Sequence, residues 1–406
     1  MKQQRVLHVI PSVSDKRGGP SFVLRKMTDA LAHQGFSIDV ATTNDDGREL
    51  SQTALGVPLK TNGNVTYFYF PRQTYIYQFS MPLALWLYRN VANYDLVHIH
   101  AVFAFPTLIA AIIARWRGIP YIIRPLGILN TWGMTQRRPL LKRVSFFLME
   151  SRILRSAAAV HLTSQLELTE VSLLDKSTAR RATQPGYASK SVVIPEPAEL
   201  TFQNGNGAEG NDEWPEFQDK RIVLYFSRID RKKGLDLLLP AYAAVLKHNP
   251  DLLLVIAGNG EKSFIDELKG IADQLGISKQ VMWLGFIRGQ RKLSLLRRAD
   301  IFVLPSYGEN FGVAVLEAMA SGTPVIITDR VGLHDTISDQ DAGLVIPCEV
   351  PALVDALTRV LGDAELRARV TANALRLVRT TYSEKTVTLQ LVQLYGKCCA
   401  DARAAL

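Results

Sequence analysis

The sequence is poor in cysteine and contains no extended low-complexity segment. Its 406 residues include three cysteines, Cys348, Cys398 and Cys399. Adjacent cysteines do not easily bridge each other, and none of the three has metal-ligand spacing, so neither a disulfide framework nor a cysteine metal site is expected. A reducing compartment such as the cytosol is the simplest setting for such a chain.

Long apolar runs are also missing. The longest, residues 101–114, contains Pro106 and is shorter than the roughly 17 residues that a membrane-spanning helix needs. Near the N-terminus, Pro11 ends the apolar run of residues 6–10, which is typical of a buried first strand and not of a signal peptide. We therefore expect a cytoplasmic protein, at most peripheral on the inner face of the membrane.

Acidic residues are scarce in the first half of the chain. Residues 1–197 carry 23 Lys and Arg against 12 Asp and Glu, a formal charge of +11, whereas residues 198–406 carry 24 against 26, a charge of −2. A basic half of this kind suits an anionic ligand, an anionic membrane surface or nucleic acid. No nucleic-acid-binding motif accompanies the charge, so nucleic acid is the least expected partner.

One basic stretch also contains many leucines and phenylalanines, which suits either an anionic membrane surface or an ordinary exposed helix face. Its basic residues are Arg137, Arg138, Lys142, Arg143, Arg152 and Arg155.

Short apolar runs alternate with helical patterns along the whole chain, which predicts α/β architecture with parallel, doubly wound sheets. In the first half, strands are predicted at 5–10, 37–42, 65–70, 96–100, 121–124, 157–162 and 191–194. In the second half, they are predicted at 222–227, 252–258, 281–284, 301–304, 325–328 and 344–347. The chain length and a polar, glycine-rich stretch near 200 predict two domains, residues 1–197 and 221–384, joined by a linker at 198–220.

The segment 305–326 reads as strand, loop, helix and strand and carries two carboxylates eight positions apart. Glu309 falls in the loop, and Glu317 lies two turns into the helix, about 12 Å further along its axis. Gly312 permits close backbone approach at the helix start, where free N–H groups suit a phosphate or a sugar hydroxyl. An ordinary strand–helix junction with two exposed carboxylates is the alternative.

A second segment, Ser227–Gly234, follows a predicted strand and carries two cations, Arg228 and Lys233. Both side chains could converge on a diphosphate and stabilise negative charge as it develops there. A solvated basic turn is the alternative.

Two further segments belong to the first half. Gly18 and Gly19 follow the first strand and would let a loop pass close to a bulky ligand. His98 and His100 end the predicted strand 96–100 and share one of its faces. No third metal ligand is evident beside them in the sequence.

In this order, these segments resemble the large family of retaining glycosyltransferases that includes sucrose synthases, glycogen synthases and many bacterial mannosyl- and glucosyltransferases (family 4). Gly18-Gly19-Pro20 resembles its N-terminal glycine loop, 95–100 its Asp-x-x-His-x-His strand, and 227–234 its phosphate-binding turn. The resemblance implies the GT-B fold, in which two Rossmann-like domains face each other across a cleft. It also implies that the last helix, here 385–406, packs back on the first domain.

The resemblance further implies a role for each matching residue. Arg228 and Lys233 would bind the diphosphate, and Glu309 would bind the hydroxyls of the transferred sugar. With His100, which would lie beside the donor sugar, these are the expected catalytic residues. Glu317 would hold the ribose. The expected donor-binding residues are Gly18, Gly19, Arg228, Lys233, Phe286, Ile287, Glu309, Asn310, Phe311, Gly312, Val313 and Glu317.

The acceptor side is less defined. Arg124 begins a turn that resembles the family's turn after its next strand, where an acceptor or a donor phosphate is met. Tyr75 and Tyr77 belong to an aromatic cluster ahead of a predicted helix, and their rings could stack on sugar faces or grip a lipid.

The function implied is transfer of a hexose from a UDP- or GDP-sugar to a glycan or lipid-linked acceptor, with retention, in surface polysaccharide or lipopolysaccharide synthesis. No metal or other cofactor is expected; Asp339-Gln340-Asp341, which mimics a metal-binding D-x-D, reads better as a solvated turn. A catalytically silent subunit that binds sugar nucleotides and a GT-B sugar-nucleotide epimerase are the alternatives.

Overall fold

A computed structural model describes residues 3–61, 64–130, 133–134, 139–179, 186–198 and 214–404. The chain divides into two compact units. The first comprises Met1–Pro195 together with Val387–Leu406, and the second comprises Glu196–Thr386. Each unit is built around its own β-sheet, and each is described by itself.

The sheet of the first unit has eight strands in the order β10-β9-β8-β7-β1-β2-β6-β5. All of its neighbouring strands are parallel except β5, which runs antiparallel to β6 at one edge. A separate two-stranded ribbon, β3–β4, completes the unit. These strands are β1 Arg5–Val9, β2 Ser37–Thr43, β3 Asp45–Asp46, β4 Glu49–Leu50, β5 Pro58–Lys60, β6 Val65–Phe70, β7 Leu96–His100, β8 Tyr121–Arg124, β9 Ala159–Leu162 and β10 Ser191–Val193.

The helices of the first unit cover both faces of this sheet, and its central strands are buried on both sides. They are α1 Gly19–His33, α2 Met81–Asn90, α3 Phe105–Trp116, α4 Pro139–Ser145, α5 Ser151–Ser156 and α6 Gln165–Ala179. Between α4 and α5, a π-helical turn spans Phe146–Glu150. One apolar core forms under α2, α3 and α5, and a second forms under α1 on the opposite face.

The second unit holds an all-parallel, six-stranded sheet in the order β13-β12-β11-β14-β15-β16. Its strands are β11 Arg221–Phe226, β12 Leu252–Ala257, β13 Val281–Gly285, β14 Ile301–Leu304, β15 Val325–Thr328 and β16 Leu344–Ile346. Its helices are α7 Leu235–Leu246, α8 Lys262–Gln274, α9 Gln290–Arg298, α10 Val313–Ala320, α11 His334–Asp339, α12 Val350–Gly362 and α13 Ala364–Thr380. A single large apolar core joins the sheet to these helices.

The last helix, α14 Glu384–Ala404, packs on the sheet of the first unit. Its buried residues Leu391, Leu394, Tyr395 and Cys398 join the apolar core that also contains α1. This placement makes the C-terminal segment an integral part of the first unit.

The predicted linker needs a correction. Residues 199–213 lie outside the described part of the chain, but Trp214 and Phe217 are buried in the core of the second unit. Their rings stack at 5.0 Å, and the Trp214 indole N–H donates to Ser294 Oγ at 3.0 Å. The end of the glycine-rich stretch is therefore core, because two large aromatic rings gain more from burial than from solvent.

The α/β fold class, with two Rossmann-like parallel sheets, is confirmed. Every strand predicted from the sequence occurs, with ends that differ by at most two residues. The strands β3, β4 and β5 were not predicted, since they are two or three residues long and lack an apolar pattern. Among the described helices, none combines the length and the apolar character needed to cross a bilayer.

Candidate active site

The turn that follows β11 is shaped by a capped loop and one obligatory glycine. The Asp230 carboxylate accepts a hydrogen bond from the Lys232 backbone N–H at 3.1 Å and starts a single 3₁₀ turn. Gly234 ends this turn with φ +72° and begins α7. A Cβ at Gly234 would lie 1.9 Å from the Pro305 carbonyl oxygen. Only glycine therefore lets this turn lie against the loop that follows β14.

This close approach brings Lys233 to Glu309. The Lys233 ammonium and the Glu309 carboxylate form an ion pair, with side chains that are 10% and 23% exposed. Burial disfavours ionisation of Glu309, but the Lys233 and Lys232 charges and a hydrogen bond from the Asn310 backbone outweigh it. The pKa of the Glu309 carboxyl is consequently held below its usual range, so this carboxylate is ionised at neutral pH.

The backbone around Glu309 is fixed independently of its side chain. The Glu309 N–H donates to the Arg330 carbonyl at 2.9 Å, and its own carbonyl accepts from the Gly332 N–H at 2.9 Å. Gly312 follows with φ +104° as the residue before α10, where a Cβ would meet Val331 at 3.0 Å. The loop therefore leaves the N-terminus of α10 close to Glu309, and free N–H groups there suit an anion or a hydroxyl.

A second buried ion pair lies between α10 and α9. Glu317 is buried, and its Oε1 lies 2.6 Å from the Lys292 ammonium, whose side chain is 16% exposed. The carboxylate predicted to bind ribose thus has a cationic partner that the sequence patterns did not single out. Lys292 is three residues beyond Gly289, whose φ of +62° turns the chain into α9.

The remaining donor-site residues predicted in the second unit fall into two groups. Arg228 and Phe286 are exposed, the latter by 62%. Ile287 and Phe311 are buried in the apolar core, and Phe311 packs edge-on against Tyr382. The Ile287 side chain packs inward, and donor binding by the segment that contains Phe286 and Ile287 stays a prediction. The backbone of Phe311 can still contribute to donor binding. Val313 is the first residue of α10.

In the first unit, His98 and His100 belong to a buried polar row across the central strands. His8 pairs in register with His98, and His100 pairs with Arg124. His161 completes the row from β9. Nδ1 of His8 lies 2.9 Å from Nε2 of His100. This row, defined as the histidine row, is covered by α14, whose Tyr395 hydroxyl lies 2.7 Å from Nδ1 of His98.

The histidine row is electrically neutral apart from Arg124. Burial, reinforced by the Arg124 charge, lowers the pKa of both His8 and His161 to about 3. The pKa values of His98 and His100 are also lowered well below the usual value, mainly by burial. These rings are neutral at physiological pH, so the row supplies hydrogen-bonding groups and not positive charge.

Arg124 has a buried counter-charge. Burial lowers the pKa of Arg124 to about 10, against the opposing effect of the Glu167 charge. The Glu167 carboxylate accepts from the backbone N–H groups of Gly127 at 2.9 Å and Thr163 at 2.8 Å. Arg124 is 1% exposed. The Arg124 side chain lies within the sheet face that α14 covers, and its predicted contact with an acceptor stays a prediction.

His100 is likewise 1% exposed, and its predicted place beside a donor sugar stays a prediction. His8 supplies the third imidazole that the sequence did not reveal. Within the described residues, His8, His98 and His100 are the one group close enough to hold a metal ion. The neighbouring Arg124 guanidinium disfavours a cation there by charge repulsion.

The other predicted residues of the first unit lie at its surface. Gly18 and Gly19 are exposed at the start of α1, and Gly18 has φ +78°. Tyr75 is 58% exposed, with the Arg72 guanidinium 5.2 Å from its ring centre. Tyr77 is half-buried, and its hydroxyl donates to Glu150 Oε1 at 2.8 Å. Of these two tyrosines, Tyr75 alone has the exposure that stacking on a sugar needs.

The two carboxylates of the Asp339-Gln340-Asp341 sequence lie at the surface. Asp341 is engaged by Arg369, whose Nε lies 2.7 Å from Oδ2. Asp339 ends the short helix α11.

Three residues of these clusters were missed in the sequence. His8 and His161 could have been found from strand periodicity, since each occupies an inward position of a predicted strand. Lys292 carried no comparable signal, because it lies in a basic, amphipathic helix among Arg291, Arg297 and Arg298.

Two family models match the chain. Residues 18–183 match the glycosyl transferase 4-like domain, and residues 209–376 match the glycosyl transferases group 1 model. Together these ranges include nearly all of the candidate site residues described above.

Among curated relatives, a D-inositol 3-phosphate glycosyltransferase from Corynebacterium glutamicum is 33% identical over 186 residues, which are 45% of this chain and 44% of that protein. The enzyme of the same name from Corynebacterium urealyticum is 25% identical over 397 residues, 93% of this chain and 90% of the relative. The relatives of higher identity are matched over about half of their length.

Among solved structures, Anabaena HepE in complex with UDP and glucose superposes with a TM-score of 0.77 at 19% identity, covering 97% of this chain and all of that one. This likeness concerns the fold. The two family models together match most of the chain, and they show that it belongs to the glycosyltransferases of family 4, with the GT-B fold.

Proposed function

We propose that this protein transfers a hexose from a UDP- or GDP-sugar to a hydroxyl of a glycan or lipid-linked acceptor, with retention of configuration and without a metal. The observation that carries the proposal is the joint presence of two carboxylate–lysine pairs, Glu309–Lys233 and Glu317–Lys292, in the second unit. The complex of Anabaena HepE with UDP and glucose supports a nucleotide sugar as the donor.

The Lys233–Glu309 pair is suited to a ligand that carries both phosphates and hydroxyls. A diphosphate would draw the Lys233 ammonium, and the Glu309 carboxylate would accept hydrogen bonds from the sugar hydroxyls. Both side chains keep some exposure, so a ligand can reach them. Arg228, exposed after β11, would add a second cation on the diphosphate.

In the proposed reaction, the acceptor oxygen forms a bond to the anomeric carbon on the face from which the diphosphate leaves. The bond between that carbon and the phosphate oxygen breaks, and its electron pair stays on the diphosphate. The acceptor proton passes to the departing phosphate oxygen. Lys233 and Arg228 stabilise the negative charge that develops on the leaving group, which is where fixed cations act most effectively.

The test compares Lys233→Ala and Glu309→Gln with the control Arg231→Ala. Arg231 lies in the same turn but pairs at the surface with Glu267. With a panel of UDP- and GDP-sugars and glycan acceptors, we expect both site variants to lose roughly 10²-fold or more in transfer rate. The control should keep wild-type activity, and all three should give folded protein by circular dichroism. Full activity in either site variant contradicts the assignment.

Three further measurements separate the alternatives. An unchanged rate in EDTA supports metal independence, and the anomeric configuration of the product, read by NMR, decides retention. A silent binding subunit would bind the nucleotide sugar without any transfer or hydrolysis. An epimerase would form product from the nucleotide sugar without an acceptor.

We also propose that the first unit contacts an anionic membrane surface. An apolar stripe at helical spacing, Leu140, Val144, Phe147 and Leu148, is between 48% and 76% exposed. The same layer of helices exposes Tyr88 on α2 and Trp116 on α3, whose rings stack at 5.3 Å. Apolar and aromatic side chains of this kind bind the boundary between lipid headgroups and acyl chains.

The charges of this layer suit an anionic surface. Residues 81–156 contain two acidic residues, Asp95 and Glu150. Glu150 is buried, and Asp95 accepts from the Arg5 backbone N–H at 2.9 Å. The basic residues that the layer exposes include Arg89, Arg115, Arg117, Arg143 and Arg152.

The basic stretch predicted from the sequence is corrected in one place. Arg155 is buried and pairs with Asp175 at 2.9 Å, so it does not face a membrane. Arg137 and Arg138 lie outside the described residues.

Co-sedimentation with vesicles of phosphatidylglycerol and phosphatidylcholine tests the membrane proposal. We expect Phe147→Asp with Leu148→Asp to weaken binding at least tenfold, whereas Leu389→Asp, at an exposed apolar position of α14, should have no effect. The proposal would be overturned if wild-type protein did not co-sediment with anionic vesicles at low salt.

A further inference from the structure

The buried pair between Glu317 and Lys292 points to a residue whose role in nucleotide binding no motif assigns. Lys292 lies in α9, and Glu317 lies in α10. The ammonium is 2.6 Å from Glu317 Oε1, and the two side chains are 16% and 8% exposed. We propose that Lys292 is a positioning residue, which holds the Glu317 carboxylate ionised and oriented for the nucleotide ribose. The inference rests on the proposed function, in which Glu317 binds that ribose.

A carboxylate buried this deeply needs a partner. An unpaired, buried carboxylate takes up a proton in preference to remaining charged. A protonated Glu317 would present a donor where the two ribose hydroxyls both require an acceptor. By pairing with Oε1, Lys292 keeps the group in its accepting form and limits its rotation.

The position of Lys292 in the fold makes this role specific. Its helix begins at Gln290, directly after Gly289 and three residues after Ile287, which anchors the preceding loop in the core. Glu317 is itself on α10, which carries Gly312 before its first turn. A lysine on one helix therefore fixes a carboxylate on another, and this link is distinct from the Lys233–Glu309 pair.

The experiment measures UDP and GDP affinity of the full chain by isothermal titration calorimetry between pH 6 and pH 8.5. We expect Lys292→Met to lower the affinity for the bound nucleotide at least tenfold at pH 6.5, with recovery as the pH rises. Lys292→Arg, which keeps the charge, should stay within about threefold of wild type. Lys262→Met is the control, because Lys262 forms an exposed ion pair with Asp266 and should leave affinity unchanged.

Glu317→Gln separates the failure of this inference from that of the proposed function. If Glu317→Gln weakens binding but Lys292→Met gives wild-type affinity with no added pH dependence, Lys292 has no positioning role. If Glu317→Gln binds both nucleotides as wild type does, the proposed donor site itself fails.

Lys292→Met alone removes the ammonium that lies against the buried Glu317 carboxyl and could prevent folding. The double variant Lys292→Met/Glu317→Gln removes both charges and should fold. We expect its affinity to match that of Glu317→Gln alone, because both changes act on one contact. A further tenfold loss in the double variant would show that Lys292 acts elsewhere and would overturn the inference.

Discussion

Acidification should destabilise the first unit through its histidine row. His8 and His161 have pKa values lowered from 6.5 to about 3 by burial and by the Arg124 charge. Between these values the unfolded chain binds a proton at each histidine and the folded chain does not. The free energy of unfolding therefore rises with pH in this window, and stability is lost as the pH falls below about 6.5.

The size of the effect follows from these shifts. Going from pH 7.5 to pH 5.0, each of these two histidines should reduce the free energy of unfolding by about 2 kcal/mol. Glu150 acts in the opposite direction, because burial raises its pKa to about 6. Over the same pH change it should increase the free energy of unfolding by roughly 1 kcal/mol. Summed over these three groups, the free energy of unfolding falls by about 3 kcal/mol, which corresponds to a fall of roughly 6 to 12 °C in Tm for a unit of this size.

Other buried groups around the row also contribute to the pH dependence of stability. His98 and His100 have pKa values lowered further and add to the loss at low pH. Glu167 has a raised pKa because it is buried, and it offsets part of that loss.

The decisive measurement compares the pH-dependent loss of stability in wild type with that in a single variant. Urea unfolding of wild type and His161→Gln, each at pH 7.5 and 5.0, should show a pH-dependent loss that is about 2 kcal/mol smaller in the variant. Gln keeps an N–H donor for the Ile194 carbonyl, which His161 Nε2 meets at 2.9 Å. His248→Gln, at an exposed position of the second unit, is the control. Equal pH-dependent losses in wild type and His161→Gln, within about 0.5 kcal/mol, would refute the reasoning.

Two further predictions concern the second unit. Gly234→Ala should lower the free energy of unfolding by several kcal/mol or prevent folding, because the new Cβ would lie 1.9 Å from the Pro305 carbonyl oxygen at a φ of +72°. Gly276 has a φ of +70° but lies in open space. Gly276→Ala should therefore lower the free energy of unfolding by only about 1 kcal/mol. Urea midpoints of the two variants decide this, and similar values would contradict it. Trp214→Ala should destabilise the second unit by about 3 to 5 kcal/mol, since the ring is 1% exposed; a loss below 1 kcal/mol would show that the Trp214 ring is not core.

The strands could be predicted because a parallel strand buried on both faces is a continuous apolar run. β12, Leu252–Ala257, is buried at all six positions, and such runs stand out between polar turns. The loop that contains Glu309 and Gly312 could also be predicted from the sequence, because a glycine before a helix and a carboxylate beside it form a local pattern. Short edge strands such as β5 lack that signal, since their register comes from the neighbouring strand.

Side-chain contacts between elements that are far apart in sequence could not be predicted in this way. Lys292 and Glu317 are separated by 25 residues, and His8 and His100 by 92. Each meets its partner only because sheet order and helix packing bring separate elements together. The sequence offers several lysines and arginines in α9, and nothing local distinguishes the one that turns inward. The burial of Arg124 could not be foreseen for the same reason: the covering helix α14 is more than 250 residues away in sequence.

The two carboxylate–lysine pairs differ in a way that assigns them different tasks. The side chains of Lys233 and Glu309 are 10% and 23% exposed, whereas those of Lys292 and Glu317 are 16% and 8% exposed. In the first pair the carboxylate is the more exposed member, so an incoming ligand can compete for it and release the ammonium toward a phosphate. In the second pair the carboxylate is the more buried member, and separating it from Lys292 would remove the ammonium that lies against a buried charge. We therefore expect donor binding to rearrange the first pair and to leave the second intact.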